Sequence, residues 1–289
     1  MIKILLVGAN GFIGQHVNDY FQYIEDFEIF DSRNYGLDLG NPIKINEVIK
    51  LIQPDHLINL GALASIESNN FDLLYTINSF SILYILNALS EINFEGNFIN
   101  ASSAYVYGDQ TPSILFETSP LNPKNHYACS KVLAERFCEF DHKIKTINLR
   151  FFNVIGPGQK PYFVIPKIIS HFVNKSKSIE LGNINSVRDF IDIRDVVSLI
   201  HVLITKGSLP KVLNVSNGKG ISLGKIIDKF IEVSNHPIEV RFDDNIKRSS
   251  DNLYMVGSEK LRNEIGHRSQ YELIDSVEWI LKEYKAIPC

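Results

Sequence analysis

A tyrosine with a lysine four positions on occurs once among the twelve tyrosines of this 289-residue chain, at Tyr127 and Lys131. Residues four apart on a helix share a face, so the phenol and the ammonium can meet. A cation beside a phenol favours the phenolate, which predicts a tyrosine pKa drawn down from about 10. Such a phenol can give or take a proton at an alcohol or ketone oxygen. An exposed helical pair with no chemistry has the same spacing, so the surroundings must decide. A serine pair, Ser102-Ser103, lies upstream, and a glycine-rich turn opens the chain.

That turn, Gly8-Ala9-Asn10-Gly11-Phe12-Ile13-Gly14, follows the apolar run Ile2–Val7. Between a strand and a helix, glycines permit a tight turn and a close backbone approach to a pyrophosphate. The helix N-terminus adds free N–H groups and partial positive charge. The spacing is G-x-x-G-x-x-G rather than G-x-G-x-x-G, and its position carries the expectation of dinucleotide binding. Asp31-Ser32-Arg33 ends the next strand. A carboxylate there accepts from both ribose hydroxyls and favours NAD, whereas an arginine pairs with the extra phosphate of NADP. Both are present, so the expected cofactor is NADP(H) or NAD(H). Asp38 is placed either to reach the adenine amino group or to serve as a turn or N-cap aspartate.

The elements that position these groups alternate. Ile2–Val7, Glu28–Phe30, His56–Leu60, Asn97–Ala101 and Thr146–Phe151 read as strands, nearly all continuous apolar runs, as when helices cover both faces. Helical patterns lie at about 12–24, 43–52, 71–91 and 125–140; a helix near 163–174 and another strand and helix near 190–205 follow. The alternation predicts an α/β chain: a Rossmann-type doubly wound parallel sheet with a smaller α/β substrate-binding lobe. The expected division is 1–152 with 189–217 for the dinucleotide and 153–188 with 218–289 for the substrate. Val212–Val215 is expected to rejoin the sheet.

Hydrophobic residues make up 45% and charged residues 21%, as in a globular protein, and the net charge of −4 leaves no basic footprint for nucleic acid. Three cysteines without ligand spacing imply reduced thiols in a cytoplasmic protein. Eight histidines without ligand spacing imply no metal. No apolar run is expected to reach the roughly 18 to 20 residues of a membrane span.

Gly8-x-x-Gly11-x-x-Gly14, Ser103 and Tyr127-x-x-x-Lys131 together resemble the extended short-chain dehydrogenase/reductases that act on nucleotide sugars. Asn59-Leu60-Gly61-Ala62, Asn78, Leu149-Arg150-Phe151-Phe152-Asn153, Arg188-Asp189-Phe190 and Asp251 agree in order along the whole chain. Phe152–Gln159, Leu181–Phe190, Gly257-Ser258-Glu259-Lys260-Leu261 and the short stretch from Gly14 to Asp38 are most similar to the GDP-4-keto-6-deoxy-D-mannose reductases. Lys247-Arg248-Ser249 departs from that group, which more often has proline after the arginine; the acidic Asp31 is a second departure.

The resemblance implies that a nicotinamide delivers hydride to C4 of a sugar while Tyr127 protonates the oxygen, aided by Lys131 and a hydrogen bond from Ser103. Ser103 is chosen over Ser102 because Ser103-Ala104-Tyr105-Val106-Tyr107-Gly108 matches the family's S-x-x-V-Y-G. Ser102 is read as a strand-end residue bonded to backbone. Cofactor contacts are expected at Gly8, Asn10, Gly11, Phe12, Ile13, Gly14, Asp31, Arg33, Asp38, Leu39, Leu60, Ala62, Asn78, Ala101, Tyr127 and Lys131. A nucleotide-diphospho-sugar is expected against Ser103, Asn153, Val164, Lys167, Arg188 and Arg248, the two arginines clamping its diphosphate. His126 is read as a turn residue and Cys129 as packing. The apolar stretch 71–89 and the helix after Tyr127 resemble the pair that forms the family's four-helix dimer interface, which implies a homodimer; the same apolar residues read equally as core. Dehydratases of the family carry an acid two residues after the serine or threonine, and here that position is Tyr105. A nucleotide-sugar 4-epimerase with tightly bound NAD shares the trio and is the alternative; a non-catalytic dinucleotide-binding protein is the third reading, disfavoured by the intact trio.

Overall fold

A computed structural model of the chain describes residues 1–63, 70–108, 113–159, 163–207, 210–242 and 254–286. It divides into two compact units: Met1–Gly108 with Glu117–Phe151 and Val197–Asn214, and Asp109–Phe116 with Phe152–Val196 and Val215–Cys289.

The first unit is built on β1 (Ile2–Val7), β2 (Phe27–Asp31), β3 (His56–Asn59), β4 (Asn97–Ser103), β6 (Lys145–Phe151) and β10 (Val212–Val215). These form one sheet in the order β10-β6-β4-β3-β1-β2. The pairs β1/β2, β1/β3, β3/β4 and β4/β6 are parallel. Ile4, Leu5, Leu6, Leu57, Ile58, Phe98 and Ile99 are fully buried, which is why these strands carry continuous apolar runs. Helices α1 (Phe12–Phe21), α2 (Pro42–Ile52), α3 (Phe71–Tyr75), α4 (Ser81–Glu91) and α5 (His126–Phe140) belong to this unit, and α7 (Ile193–Thr205) runs into it. The strand order reverses between β1 and β3, the place where such sheets open a crevice at their carboxyl ends.

Local sequence explains the helix starts. Asn41 accepts from the N–H groups of Ile43 and Lys44 at the head of α2, with Pro42 at the first helical position. Asn125 caps α5 by accepting from Ala128 N at 2.8 Å, which sets Tyr127 in the first turn. The run from Phe71 to Glu91 is one helix interrupted by a π segment, Thr76–Phe80. By length and composition alone this run passes for a membrane span, a test that buried core helices also pass; half of it is buried inside the unit. Its Ile82, Ile85, Leu86 and Leu89 join Val48, Ile49 and Ile52 of α2 and Phe98 of β4 in the core.

A polar ladder crosses this apolar sheet. Asn59, Asn100 and Asn148 are register partners on β3, β4 and β6, and all are buried. Asn59 Nδ2 donates to Asn100 Oδ1 at 3.1 Å, and Asn100 Nδ2 donates to Asn148 Oδ1 at 2.8 Å. Asn59 Oδ1 accepts from Gly61 N at 3.1 Å, so the ladder ends by holding the loop after β3.

The second unit centres on β9 (Val187–Asp192), which pairs antiparallel with β11 (Gly220–Ser222) and parallel with β7 (Asn153–Ile155) and β13 (Tyr254–Gly257). β13 also pairs with β5 (Ile114–Leu115), and β8 (Ser178–Leu181) pairs with β12 (Glu239–Phe242). Through this pairing β5 and β9 fall in the second unit, whereas the sequence boundaries set 114–115 and 189–192 with the first. Helices α6 (Val164–Val173), α8 (Leu223–Ser234), α9 (Lys260–Glu264) and α10 (Leu273–Ala286) complete it. Its separate core contains Ile168, Ile169, Phe172, Phe230, Val277 and Ile280.

Replacing Asn100 by alanine strips the partner from Asn59 Nδ2 and from Asn148 Oδ1 inside the sheet. The expected loss is about 2–4 kcal/mol of folding stability, read from the denaturant midpoint. A loss below about 0.5 kcal/mol would show that the ladder holds nothing.

Candidate active site

Backbone closeness defines the glycine turn. Gly8 sits at φ +87°, and a Cβ there would lie 2.6 Å from Gly61 N. A Cβ on Gly14 would lie 2.0 Å from Gly8 O, so no other residue fits without moving the turn. Gly11 caps α1 without a side-chain hydrogen bond, and the first turn carries no acidic residue. The N-terminus of α1 therefore offers its N–H groups to an anion, with Asn10, Phe12 and Ile13 on the same turn. Glycines that only a bare backbone can satisfy, beside the switch point of the sheet, fit a dinucleotide pyrophosphate.

Asp31 and Arg33 are not independent. The Asp31 carboxylate accepts from Arg33 N at 3.0 Å and from Arg33 Nη2 at 2.6 Å, with Nε shared between its oxygens. Burial works to raise the Asp31 pKa, but the hydrogen bonds and charge of Arg33 outweigh it and hold the carboxyl below its ordinary range. The two residues that argued for different cofactors are tied to each other. Asp38 Oδ1 accepts from Gly40 N at 2.8 Å in a turn, and the helix cap falls to Asn41. Leu39 lies over Gly61, its Cδ1 2.8 Å from where a Cβ would stand.

After β3, Leu60 N bonds Val7 O, and Ala62 is exposed. Asn78, expected at the cofactor, has its amide engaged by the protein. Its Oδ1 accepts from Leu63 N at 2.8 Å, and Nδ2 donates to Leu63 O at 3.0 Å and to Ser130 Oγ at 3.1 Å. It ties the loop after β3 to α5.

Ser103, Tyr127 and Lys131 come together at the end of β4. The Ser103 side chain lies beside the Tyr127 phenol, and Ser103 Oγ accepts from Tyr105 N at 3.2 Å. Lys131 is buried, and its Nζ donates to Ala101 O at 2.8 Å, 6.0 Å from the centre of the Tyr127 ring. Burial pushes the Tyr127 phenol up to about 12, with Ser103 opposing and Tyr105 adding to the rise. Burial also pushes the Lys131 ammonium down to about 8 against the charge of Glu135. The depressed tyrosine pKa expected from sequence is thus not found: desolvation outweighs a cation turned toward a carbonyl. A phenol that keeps its proton at neutral pH suits donation to a developing alkoxide.

Ser102 is no spectator bonded to backbone. Its hydroxyl donates to the Glu135 carboxylate, which is buried against Arg150 through Nε at 3.0 Å and Nη2 at 2.7 Å. Glu135 was missed in the sequence, although 127, 131 and 135 continue one helical face at intervals of four.

In the second unit, Asn153 Nδ2 donates to Asp189 O at 3.2 Å, joining β7 to β9. Arg188 is half-buried on β9. Val164 opens α6 and is exposed, whereas Lys167 Nζ donates to Glu180 O at 2.6 Å. Arg248 and Asp251 lie outside the described residues. His126 begins α5 with its ring 4.0 Å from that of Phe71, as a turn residue should. Among the described residues, no cluster of three or more His, Cys, Asp or Glu could hold a metal.

Residues 4–216 match the family model described as the NAD dependent epimerase/dehydratase family. GDP-6-deoxy-D-talose 4-dehydrogenase of Aggregatibacter actinomycetemcomitans is 33% identical over 98% of this chain and 96% of its own. GDP-6-deoxy-D-mannose reductase of Pseudomonas aeruginosa is 27% identical over 98% of this chain and 97% of its own. The solved structure of RMD from Pseudomonas aeruginosa complexed with NADPH matches with a TM-score of 0.89 at 26% identity, covering 99% of each chain. The chain belongs to the NAD dependent epimerase/dehydratase family, the extended short-chain dehydrogenase/reductases.

Proposed function

We propose that this chain reduces the C4 carbonyl of a GDP-4-keto-6-deoxyhexose with NADPH or NADH, in deoxysugar synthesis for surface polysaccharide. The observation that carries the reading is the convergence of Ser103, Tyr127 and Lys131 at the end of β4, Lys131 buried on Ala101 O, in the unit that holds the glycine cradle. Its support is that relatives aligned over nearly the whole chain are named for GDP-6-deoxyhexoses, one of them for chemistry at C4. Talose and mannose differ only at C4, so the product configuration is what a sugar analysis must read.

Bound at the cradle, the cofactor supplies hydride to the carbonyl carbon. Ser103 donates a hydrogen bond to the carbonyl oxygen, and Tyr127 passes its proton there as negative charge develops. Lys131 lends positive charge beside the phenol. Gly8, Gly11 and Gly14 with Asn10, Phe12 and Ile13 hold the pyrophosphate, and Asp31, Arg33, Asp38 and Leu39 face the adenosine end. Leu60, Ala62 and Ala101 line the crevice, and Asn78 acts through the loop it clamps. Asn153, Val164, Lys167, Arg188 and Arg248 of the second unit contact the nucleotide sugar. We place the protein in the cytoplasm, a reading supported by Cys129 and Cys138, which are free thiols. We also propose a homodimer formed through the 71–91 helix, where Leu73, Phe80 and Leu83 are exposed. Sedimentation equilibrium should then give twice the chain mass, and the single-chain mass would refute it.

Mixing the protein with NADPH, or NADH, and freshly made GDP-4-keto-6-deoxymannose should consume reduced cofactor stoichiometrically by nicotinamide absorbance. No net loss, with interconversion of a UDP-hexose instead, would mean a 4-epimerase. Tyr127→Phe should lower kcat by about 10²–10⁴-fold and leave cofactor binding nearly intact. Full activity in that variant would refute the mechanism. Asp31→Ala releases the Arg33 guanidinium and should raise the NADPH-to-NADH ratio of kcat/KM by about tenfold. An unchanged ratio would show that this ion pair does not govern cofactor choice.

A further inference from the structure

Three consecutive residues of β4 hold three successive turns of one face of α5. Ser103 lies beside Tyr127, Ala101 O accepts from Lys131 Nζ, and Ser102 Oγ donates to Glu135. The first two contacts belong to the working pair. The third joins a buried charge network that the reaction itself does not use. Arg150 on β6 grips both Glu135 oxygens, and its Nη1 donates to Tyr107 Oη and to Glu117 O, each at 2.9 Å. Tyr107 Oη in turn donates to Asn214 Oδ1 at 2.7 Å. Every partner of the Glu135 carboxylate is thus fixed by the sheet or by the turn after β4.

We propose that Glu135, pinned by Arg150 and Ser102, is a positioning residue that keeps Lys131 charged and on Ala101 O, and so sets the alkaline limit of the active site. The proposal rests on Tyr127 and Lys131 being the working pair. Lys131 needs such a partner because an ammonium removed from water tends to give up its proton. Burial already brings it to about 8, and the charge of Glu135 opposes that fall. A buried ion pair is poor evidence for stability, since apolar residues of the same volume often serve as well. What apolar residues cannot supply is a fixed negative charge one turn beyond Lys131.

The other titratable groups near Lys131 are few. On α5 itself they are His126, Tyr127, Cys129, Arg136, Cys138 and Glu139; His126 lies against Phe71 at the helix start, and Arg136 and Glu139 pair with each other on the exposed side. The turn after β4 brings Tyr105 and Tyr107. β6 brings Arg150 and the exposed Lys145. The helical run packed against α5 brings Asp72 and Tyr75 from α3, and Tyr84 and Glu91 from α4, with Glu91 paired to Lys50. Of all these, Glu135 is the buried carboxylate on the face of Lys131.

The test is a titration of the full chain carrying lysine labelled with ¹³C at Cε, the Lys131 resonance being the one missing from Lys131→Met. It should titrate near 8 in the native protein. Glu135→Gln should move that midpoint down by about one unit, and Arg150→Gln, which leaves the carboxylate unpaired, should move it up. Glu135→Asp should restore the native midpoint. The alkaline limb of kcat/KM should follow the same order. A merely structural network would alter stability in all variants without shifting the midpoint in opposite directions. An unmoved midpoint in folded Glu135→Gln or Arg150→Gln overturns the proposal, and if one variant fails to fold, the other decides. Because the titration needs neither cofactor nor sugar, its outcome is independent of whether the reductase reading stands.

Discussion

A buried carboxylate and guanidinium must satisfy each other almost completely, or the charge left unpaired costs about 3–5 kcal/mol. Glu135 and Arg150 meet that condition with two direct hydrogen bonds, a serine hydroxyl, a tyrosine and a backbone carbonyl. The geometry this requires fixes the height of α5 along β4. Once that height is set, Lys131 falls opposite Ala101 and Tyr127 opposite Ser103. Tyr127, the proposed acid, is thus placed by a contact two turns away from it. A helix held only by apolar side chains could slide by a fraction of a turn at small cost; one held by a bidentate ion pair cannot.

The same sheet separates two kinds of polar burial. The asparagine ladder is neutral, and each amide spends donors and acceptors on its register neighbours. It ties the end of β3 to the middle of β4 and of β6 and, through Gly61 N, holds the loop against which Gly8 packs. The ionic network lies nearer α5 and carries charge. A rigid neutral ladder preserves shape where a backbone must approach within contact distance of Gly8. A charged cluster preserves electrostatics where a proton must move. Each lies where its property is needed.

Much of this was legible in the sequence. The first-unit strands and helices fall within a few residues of their expected positions, because continuous apolar runs and 3.6-residue periodicity report burial on two faces and on one. The glycine turn and the Tyr127/Lys131 pair were legible because they depend on spacing along one local element. What escaped depends on pairing between elements. Nothing local says that Asn59, Asn100 and Asn148 are register partners, that Asp31 spends its carboxylate on Arg33, or that Ser102 faces Glu135. The direction of the Tyr127 pKa escaped for a related reason: proximity in sequence shows a cation, whereas burial and the turn of Lys131 toward Ala101 decide how strongly it acts.

The polar residues of the motifs therefore divide by a physical criterion. An amide or ammonium placed near a strand end meets backbone groups that must be satisfied, and it binds those first. Asn78 goes to Leu63, Asn153 to Asp189 O and Lys167 to Glu180 O. Asp189 collects the N–H groups of Asn217, Gly218 and Gly257, although burial still pushes its carboxyl up to about 6. Such side chains shape a site by holding its loops. Ser103 differs, because a hydroxyl keeps a donor to give after its oxygen has accepted from Tyr105 N. The small hydroxyl at the end of β4 can therefore belong to the scaffold and to the proposed reaction at once, while the Asn78 amide, engaged at both its oxygen and its nitrogen, is committed to the scaffold.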